Sequence, residues 1–295
     1  MAATSAAKFE SRQLGPTSSG GLMKAIVQDS YGEPEAVLSL QDVAKPAVND
    51  GEVLVRVHAA SVHVGDWMLV TGLPYIARPA YGMPRPKSRV PGTDVAGTVE
   101  AVGKDVTELR PGDDVIGWCA GAFAEYACAT QDHFVRKPAN LTFEQAAAVG
   151  VSASTALQLL RDQGKVQPGH KVLINGASGG LGTFAVQIAK AFGAEVTGVC
   201  STRNVEMVRS IGADHVIDYT REDFTRNGHR FDFILDNVAN HSLSDTRRAL
   251  APNGKLQSNN GTSGGRWVGT LGTVIKTAAT SMFERQQLIA AEPRR

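Results

Sequence analysis

Residues 171–182 read KVLINGASGGLG. The opening run, Lys171–Asn175, is short and apolar, as in strands buried on both faces of a parallel sheet. It leads into Gly176–Gly182, and an amphipathic stretch, Phe184–Phe192, follows. Ala177, Gly179 and Gly182 fill the three slots of a G-x-G-x-x-G fingerprint, in the strand–turn–helix setting that the fingerprint needs. Small residues let the backbone close on a ligand. A helix starting near Gly180 aims free N–H groups and the positive end of its dipole at the same place. A diphosphate suits it, so Ala177, Ser178, Gly179, Gly180, Leu181 and Gly182 are the candidate dinucleotide contacts. The alternative is a tight turn that binds nothing, and the surrounding pattern argues against it.

Downstream, strand-like runs at Glu195–Cys200, His215–Asp218, Phe231–Asp236 and Lys255–Gln257 alternate with helical stretches near Asn204–Ile211 and Leu243–Leu250. That alternation predicts an α/β unit with a doubly wound parallel sheet, the Rossmann arrangement. Upstream, Lys24–Gln28, Val53–Ala59, Val95–Val102, Val115–Trp118 and Gly121–Cys128 are short strand-like runs between Gly, Pro and Asp turns. They predict an antiparallel β barrel or sandwich over about 23–135. The domain reading is a flexible arm over 1–22, a β-rich domain over 23–145, a nucleotide-binding domain over 146–275 and a terminal segment over 276–295.

Composition narrows the class. The 295 residues carry 30 Lys and Arg against 29 Asp and Glu, so no electrostatic footprint for nucleic acid or anionic lipid is expected. No apolar run reaches the roughly eighteen residues of a membrane span. Three cysteines, Cys119, Cys128 and Cys200, are too few for a disulfide framework and fit a reducing, cytoplasmic setting. A short-chain reductase would need Tyr-x-x-x-Lys after its Gly-rich turn; here the later tyrosine is Tyr219, followed four residues on by Asp223.

Cofactor choice is read after the second parallel strand, at Ser201-Thr202-Arg203. An NAD site usually carries an acid there for the ribose 2′-hydroxyl. The acid is absent and Arg203 stands nearby, which suits a 2′-phosphate and predicts NADP(H). The plain alternative is an arginine that merely opens a solvated helix.

Together, Pro91-Gly92-Thr93-Asp94-Val95-Ala96-Gly97, the run Leu109–Val115, the run Gly121–Tyr126 and the turn at 175–182 resemble the medium-chain dehydrogenase/reductase superfamily. Within it the chain resembles the zinc-free branch of quinone oxidoreductase (zeta-crystallin) and enoyl reductases, and is also similar to bacterial NAD(P)-dependent alcohol dehydrogenases, from about Met23 to Trp267. The resemblance implies a GroES-like catalytic domain, a Rossmann domain and a cofactor in the cleft between them. It also implies cofactor roles for Thr155, Ser201, Arg203, Tyr219, Asn237, Val238, Asn259 and Asn260.

Zinc-dependent relatives have Gly-His-Glu at the Pro-Gly turn and a Cys after the second strand. This chain has Gly92-Thr93-Asp94 and Ala59–His63 there, so no metal is expected. Without zinc, the chemistry implied is hydride transfer to quinones, α,β-unsaturated carbonyls or related aldehydes, with donors in a dry cleft stabilising the developing oxyanion. Relatives use an Asn and tyrosines in the segment after the second strand. His63 stands at the Asn position, Met68 at one Tyr position and Tyr75 within one residue of the other. His63 and Tyr75 are therefore the candidate catalytic donors, with a core-lining imidazole as the alternative for His63.

Relatives continue for some dozens of residues past Phe283. The fold is thus read as C-terminally truncated, with reduced stability, dimerisation or loss of activity as expected outcomes. The leading function is an NADPH-dependent quinone or enone reductase acting on a small molecule. An NAD(P)-dependent alcohol or aldehyde dehydrogenase and a non-catalytic NADPH-binding protein are the alternatives.

Overall fold

The computed structural model describes residues 21–259, 265–268 and 287–290. The chain divides into two compact units, one ending at Val151 and one beginning at Ser152.

The first unit opens with β1 (Leu22–Gln28), a single turn α1 (Pro34–Val37) and β2 (Leu38–Ala44), which pairs antiparallel with β1. Next come β3 (Glu52–Ala60), helix α2 (Val64–Thr71), a short α3 (Arg78–Tyr81), β4 (Asp94–Val102), β5 (Asp114–Trp118), β6 (Tyr126–Thr130) and β7 (Phe134–Arg136). Strands β3 to β7 form an antiparallel five-stranded sheet in the order β6-β3-β4-β5-β7. Its inward positions are branched or aromatic, with Val53, Val55, Val95, Val99, Val115 and Phe134 packed as one core. Alternation along Val53–Ala59 reflects this half-buried geometry.

The run 121–128 does not form the one strand its alternation suggests. Ala122 and Phe123 donate to the carbonyls of Gly92 and Pro91, Ala124 bridges Ala25, and the ladder with β3 begins only at Tyr126. The segment changes partner because Gly121, at φ 90°, turns the chain back over the Pro-Gly loop.

Helix α4 (Phe143–Gln158) leads into the second unit, where β8 (Lys171–Asn175), α5 (Gly180–Ala191), β9 (Glu195–Cys200), α6 (Val205–Ser210) and β10 (His215–Asp218) follow. Then come β11 (Phe231–Asp236), α7 (Leu243–Arg248), β12 (Leu250–Ser258), α8 (Gly265–Val268) and β13 (Gln287–Ala290). The six strands run parallel in the order β10-β9-β8-β11-β12-β13, which is the doubly wound Rossmann order. Alternate residues of β8 enter different cores. Val172 and Ile174 pack with Ala185, Val186 and Ala189 of α5, while Leu173 joins Ile217, Ile234 and Leu256 on the other face. Burial on both faces is why this strand reads as a continuous apolar run.

Candidate active site

In the second unit, β8 connects to β9 on one side and borders β11 on the other, so the sheet's switch point lies between β8 and β11. Ligands of such sheets bind outside the carboxyl ends of the strands at that point. Asn175 and Asp236 sit side by side there. Asn175 Nδ2 donates to Asp236 Oδ1 at 2.8 Å and to Asn240 Oδ1 at 3.1 Å. The same Asp236 oxygen accepts from the N–H groups of Val238 (3.1 Å) and Ala239 (2.8 Å), the latter held at φ 53°. Asn237 Nδ2 donates to the Asn175 carbonyl, and Asn237 Oδ1 accepts from Asn259 Nδ2 at 3.2 Å. Asn237, Val238 and Asn259 therefore share one polar cluster. Sequence reading missed its organisers, Asn175 and Asp236; their signal was a polar residue closing an otherwise apolar strand. Asn260 lies outside the described residues.

The Gly-rich turn is tied to the next strand: the N–H groups of Gly176 and Ala177 both donate to the Val199 carbonyl. Gly179 caps α5 with no side chain bonded to the helix's first turn, so those N–H groups face outward without a side-chain acceptor. A Cβ on Gly179 would meet only the Gly176 carbonyl, at 3.4 Å, and one on Gly180 only Ser152 Oγ, at 3.7 Å. A Cβ on Gly182 would stand 2.1 Å from the Gly176 carbonyl oxygen. Gly182 is thus required by the packing of helix on turn, whereas Gly179 and Gly180 keep the space over the helix start clear. Leu181 packs on the core behind it, and Val238 lies against Gly176. These residues fit the diphosphate of a dinucleotide. Thr155 shares a helix face with Ser152, the neighbour of Gly180.

Ser178 and Ser201 are brought together by a residue that sequence reading passed over. Asn204 Nδ2 lies 3.1 Å from Ser178 Oγ and 3.3 Å from Ser201 Oγ. Arg203 is exposed in the same turn, and among the described residues its guanidinium has no partner. Tyr219, 56% exposed, is held beside the end of β9 by its N–H bond to the Cys200 carbonyl. The nearby acid, Asp218, accepts from Thr202 Oγ1 at 2.6 Å and from the hydroxyl and N–H of Thr220. The Thr202 hydroxyl above all holds its carboxyl below the usual range.

In the first unit, His63 caps α2. Its Nδ1 accepts from the Gly65 N–H at 2.9 Å, and Asp66 Oδ2 accepts from the His63 N–H at 3.0 Å. A Cβ on Gly65 would collide with the ring at 2.6 Å, so glycine makes room for this cap. His63 Nε2 lies 2.7 Å from Thr93 Oγ1, whose hydroxyl donates to Asp66 Oδ1 at 3.1 Å. The pattern assigns the tautomer. With Nδ1 accepting and the Thr93 proton directed to Asp66, the neutral ring carries its proton on Nε2 and donates to Thr93. Asp94, wholly buried, accepts from Ser61 Oγ and from the Val151 N–H; burial first of all pushes its carboxyl above the ordinary range. Tyr75 is half-buried with the Arg78 guanidinium 4.6 Å over its ring. Thr93 also lines an open recess near Tyr81 and Gly121.

Among the described residues, no three His, Cys, Asp or Glu side chains stand together to hold a metal ion, and no helix is long and apolar enough to cross a membrane. Cys119 is buried, which pushes its thiol up to about 12.

Comparison with known proteins follows the same two units. Residues 49–139 match the alcohol dehydrogenase GroES-like domain family, and residues 180–263 match the family described as zinc-binding dehydrogenase. The chain is 33% identical over 250 residues to the chloroplastic quinone-oxidoreductase QR1 of Triphysaria versicolor, covering 80% of this chain and 74% of that protein. It is 39% identical over 236 residues to the mitochondrial NAD(P)H oxidoreductase RTN4IP1 of Mus musculus, covering 74% of this chain but 60% of that protein. Among solved structures, the quinone oxidoreductase from Coxiella burnetii superposes with a TM-score of 0.80 at 31% identity, over 92% of this chain and 83% of that one. Likeness of this extent, running through both units, makes the chain a member of the quinone oxidoreductase branch of the medium-chain dehydrogenase/reductase superfamily.

Proposed function

We propose that this oxidoreductase takes NADPH and reduces quinones or α,β-unsaturated carbonyls without zinc. The observation that carries the cofactor choice is Arg203, an exposed cation in the turn after β9 that has no partner among the described residues, while the neighbouring acid Asp218 is engaged by Thr202 and Thr220. A 2′-phosphate would take up that cation, whereas a 2′-hydroxyl would gain little from it. Arg203→Ala is expected to raise the NADPH Kd about tenfold or more, the loss of one charge-assisted bond. The NADH Kd should hardly move. Titration of both coenzymes by fluorescence checks this, and equal weakening of the two would remove the 2′-phosphate role.

When bound, the nicotinamide supplies the hydride. The chain's own part is to receive the negative charge that then develops on the substrate oxygen. We assign this to the Thr93 hydroxyl and to Tyr75. His63 acts through Thr93, because its Nε2–H already occupies one Thr93 lone pair. When the Thr93 hydroxyl turns from Asp66 toward a substrate oxyanion, that bond from His63 stays in place and strengthens the donor. The proton that completes the saturated product comes from solvent. His63→Ala should lower kcat at least about tenfold with KM and coenzyme Kd little changed, the signature of a donor that matters in the transition state. His63→Asn, which can both cap the helix and donate, should recover most of the loss. A parallel fall of kcat and thermal stability in both variants would reduce His63 to a cap.

The reaction itself is tested by anaerobic NADPH oxidation over quinones, enones and aldehydes. Turnover confined to aldehydes, or ethanol oxidation with NADP+, would point to the dehydrogenase alternative. Binding without any turnover would point to the non-catalytic one.

A further inference from the structure

The first unit holds an open recess beside Tyr81 and Gly121, whose empty space, open solvent included, is about 520 Å³. Its lining is mostly apolar, from Leu69, Ala80, the Tyr81 ring, Pro86 and Val90. Lys87, Ser88, Thr93 and Gln28 break that character. Gln28, at the end of β1, also lines it; the residue is 3% exposed, and among the described residues its amide carbonyl has no hydrogen-bond partner. The backbone offers no explanation, since the Gln28 N–H is already bonded to the Arg89 carbonyl. A buried amide left unpaired costs about 1–3 kcal/mol, so an acceptor at this depth calls for a donor. Thr93, the hydroxyl assigned above to the substrate oxyanion, lines the same recess.

We propose that the recess is the substrate's specificity subsite, that it takes a flat aromatic ring bearing a hydroxyl, and that the Gln28 carbonyl accepts the hydrogen bond from that hydroxyl. The preferred substrates are then hydroxylated aromatic enones or quinones. Apolar walls suit the ring, and the unpaired buried acceptor discriminates a free hydroxyl from its ether. The Tyr81 phenol adds a donor to the same wall, and its burial raises its pKa and keeps it protonated. A ligand with both a hydroxyl and a carbonyl answers both groups. The link to turnover rests on the reductase reading; the binding does not.

The test compares three probes by calorimetry on the full chain: benzylideneacetone, its 4-hydroxy form and its 4-methoxy form, at mildly acidic pH so that the phenol stays neutral. The wild type should bind the hydroxy form about fivefold to tenfold tighter than the methoxy form, the worth of one buried hydrogen bond. Gln28→Leu and Gln28→Met, which fill the same space without an acceptor, should erase that preference and leave benzylideneacetone binding unchanged. Equal wild-type affinity for the hydroxy and methoxy forms overturns the proposal, as does a preference that survives in both variants. NADPH-dependent reduction without a hydroxyl preference leaves the reductase reading standing and removes the subsite. Selective binding without turnover does the reverse.

Discussion

Gly179→Val should leave the second unit's stability intact and abolish coenzyme binding, whereas Gly182→Val should destabilise it. The two glycines sit three residues apart in one turn, yet their surroundings differ. At Gly179 the backbone has φ −81° and ψ 170°, which any residue adopts, and an added Cβ meets only the Gly176 carbonyl at an ordinary 3.4 Å. The valine branches would then project into the space over the helix start, where a diphosphate must sit to meet the N–H groups. A Kd increase of at least about a hundredfold for both NADPH and NADH is expected, near 3 kcal/mol. At Gly182 the added Cβ would lie 2.1 Å from a backbone oxygen that cannot yield without moving the turn off β9. Overpacking of this kind costs about 1–3 kcal/mol or more. Thermal melts and coenzyme titration of both variants separate the effects. If Gly179→Val still binds coenzyme, the diphosphate does not lie over this helix.

The second large effect is expected at Asp94. Its carboxylate is the buried acceptor for Ser61 Oγ at 3.1 Å and for the Val151 N–H at 3.0 Å, and a Cβ on Gly150 would press on it at 2.4 Å. Asp94→Ala strands both donors and leaves a void, so about 3 kcal/mol of stability should be lost and the melting temperature should fall by roughly 5–10 °C.

Asp94→Asn has a different signature. Burial raises the carboxyl pKa in the folded state, so between the ordinary carboxylate pKa and the raised value the folded protein binds more protons than the unfolded chain. Stability contributed by this group is therefore lost as pH rises through that window. The asparagine cannot ionise, so the stability gap between wild type and Asp94→Asn should narrow from about pH 4 toward neutrality. Urea denaturation across that range measures it. A gap that widens instead would mean that the carboxylate is stabilised in its charged form.

What could be read from the sequence was what is local. The run 171–182 carries strand, turn and helix in twelve consecutive positions, each constrained by its immediate neighbours. Strands β9 and β11 were legible because both of their faces are buried. Helix α2 was not, since its start is capped by an imidazole rather than by Ser, Thr, Asp or Asn. Strand β2 buries none of its residues, so its alternation carries little signal, and β13 is only four residues long. Asn204 was invisible for another reason. Its bond to Ser178 spans 26 positions and exists only once β9 lies beside β8. The recess is assembled likewise from three separated stretches, and Gln28 becomes conspicuous only when its surroundings are known to offer it nothing.

Strand β13 has a consequence for how the protein is made. Residues 287–290 pair with Lys255–Ser258, far upstream in the chain. During translation β8 to β12 leave the ribosome first, and until β13 emerges the outer side of β12 has no neighbour. A nascent chain in that interval presents a row of unpaired amides to other nascent chains. A slow codon stretch placed just before residue 287 should therefore raise the insoluble fraction more than the same stretch placed before β8.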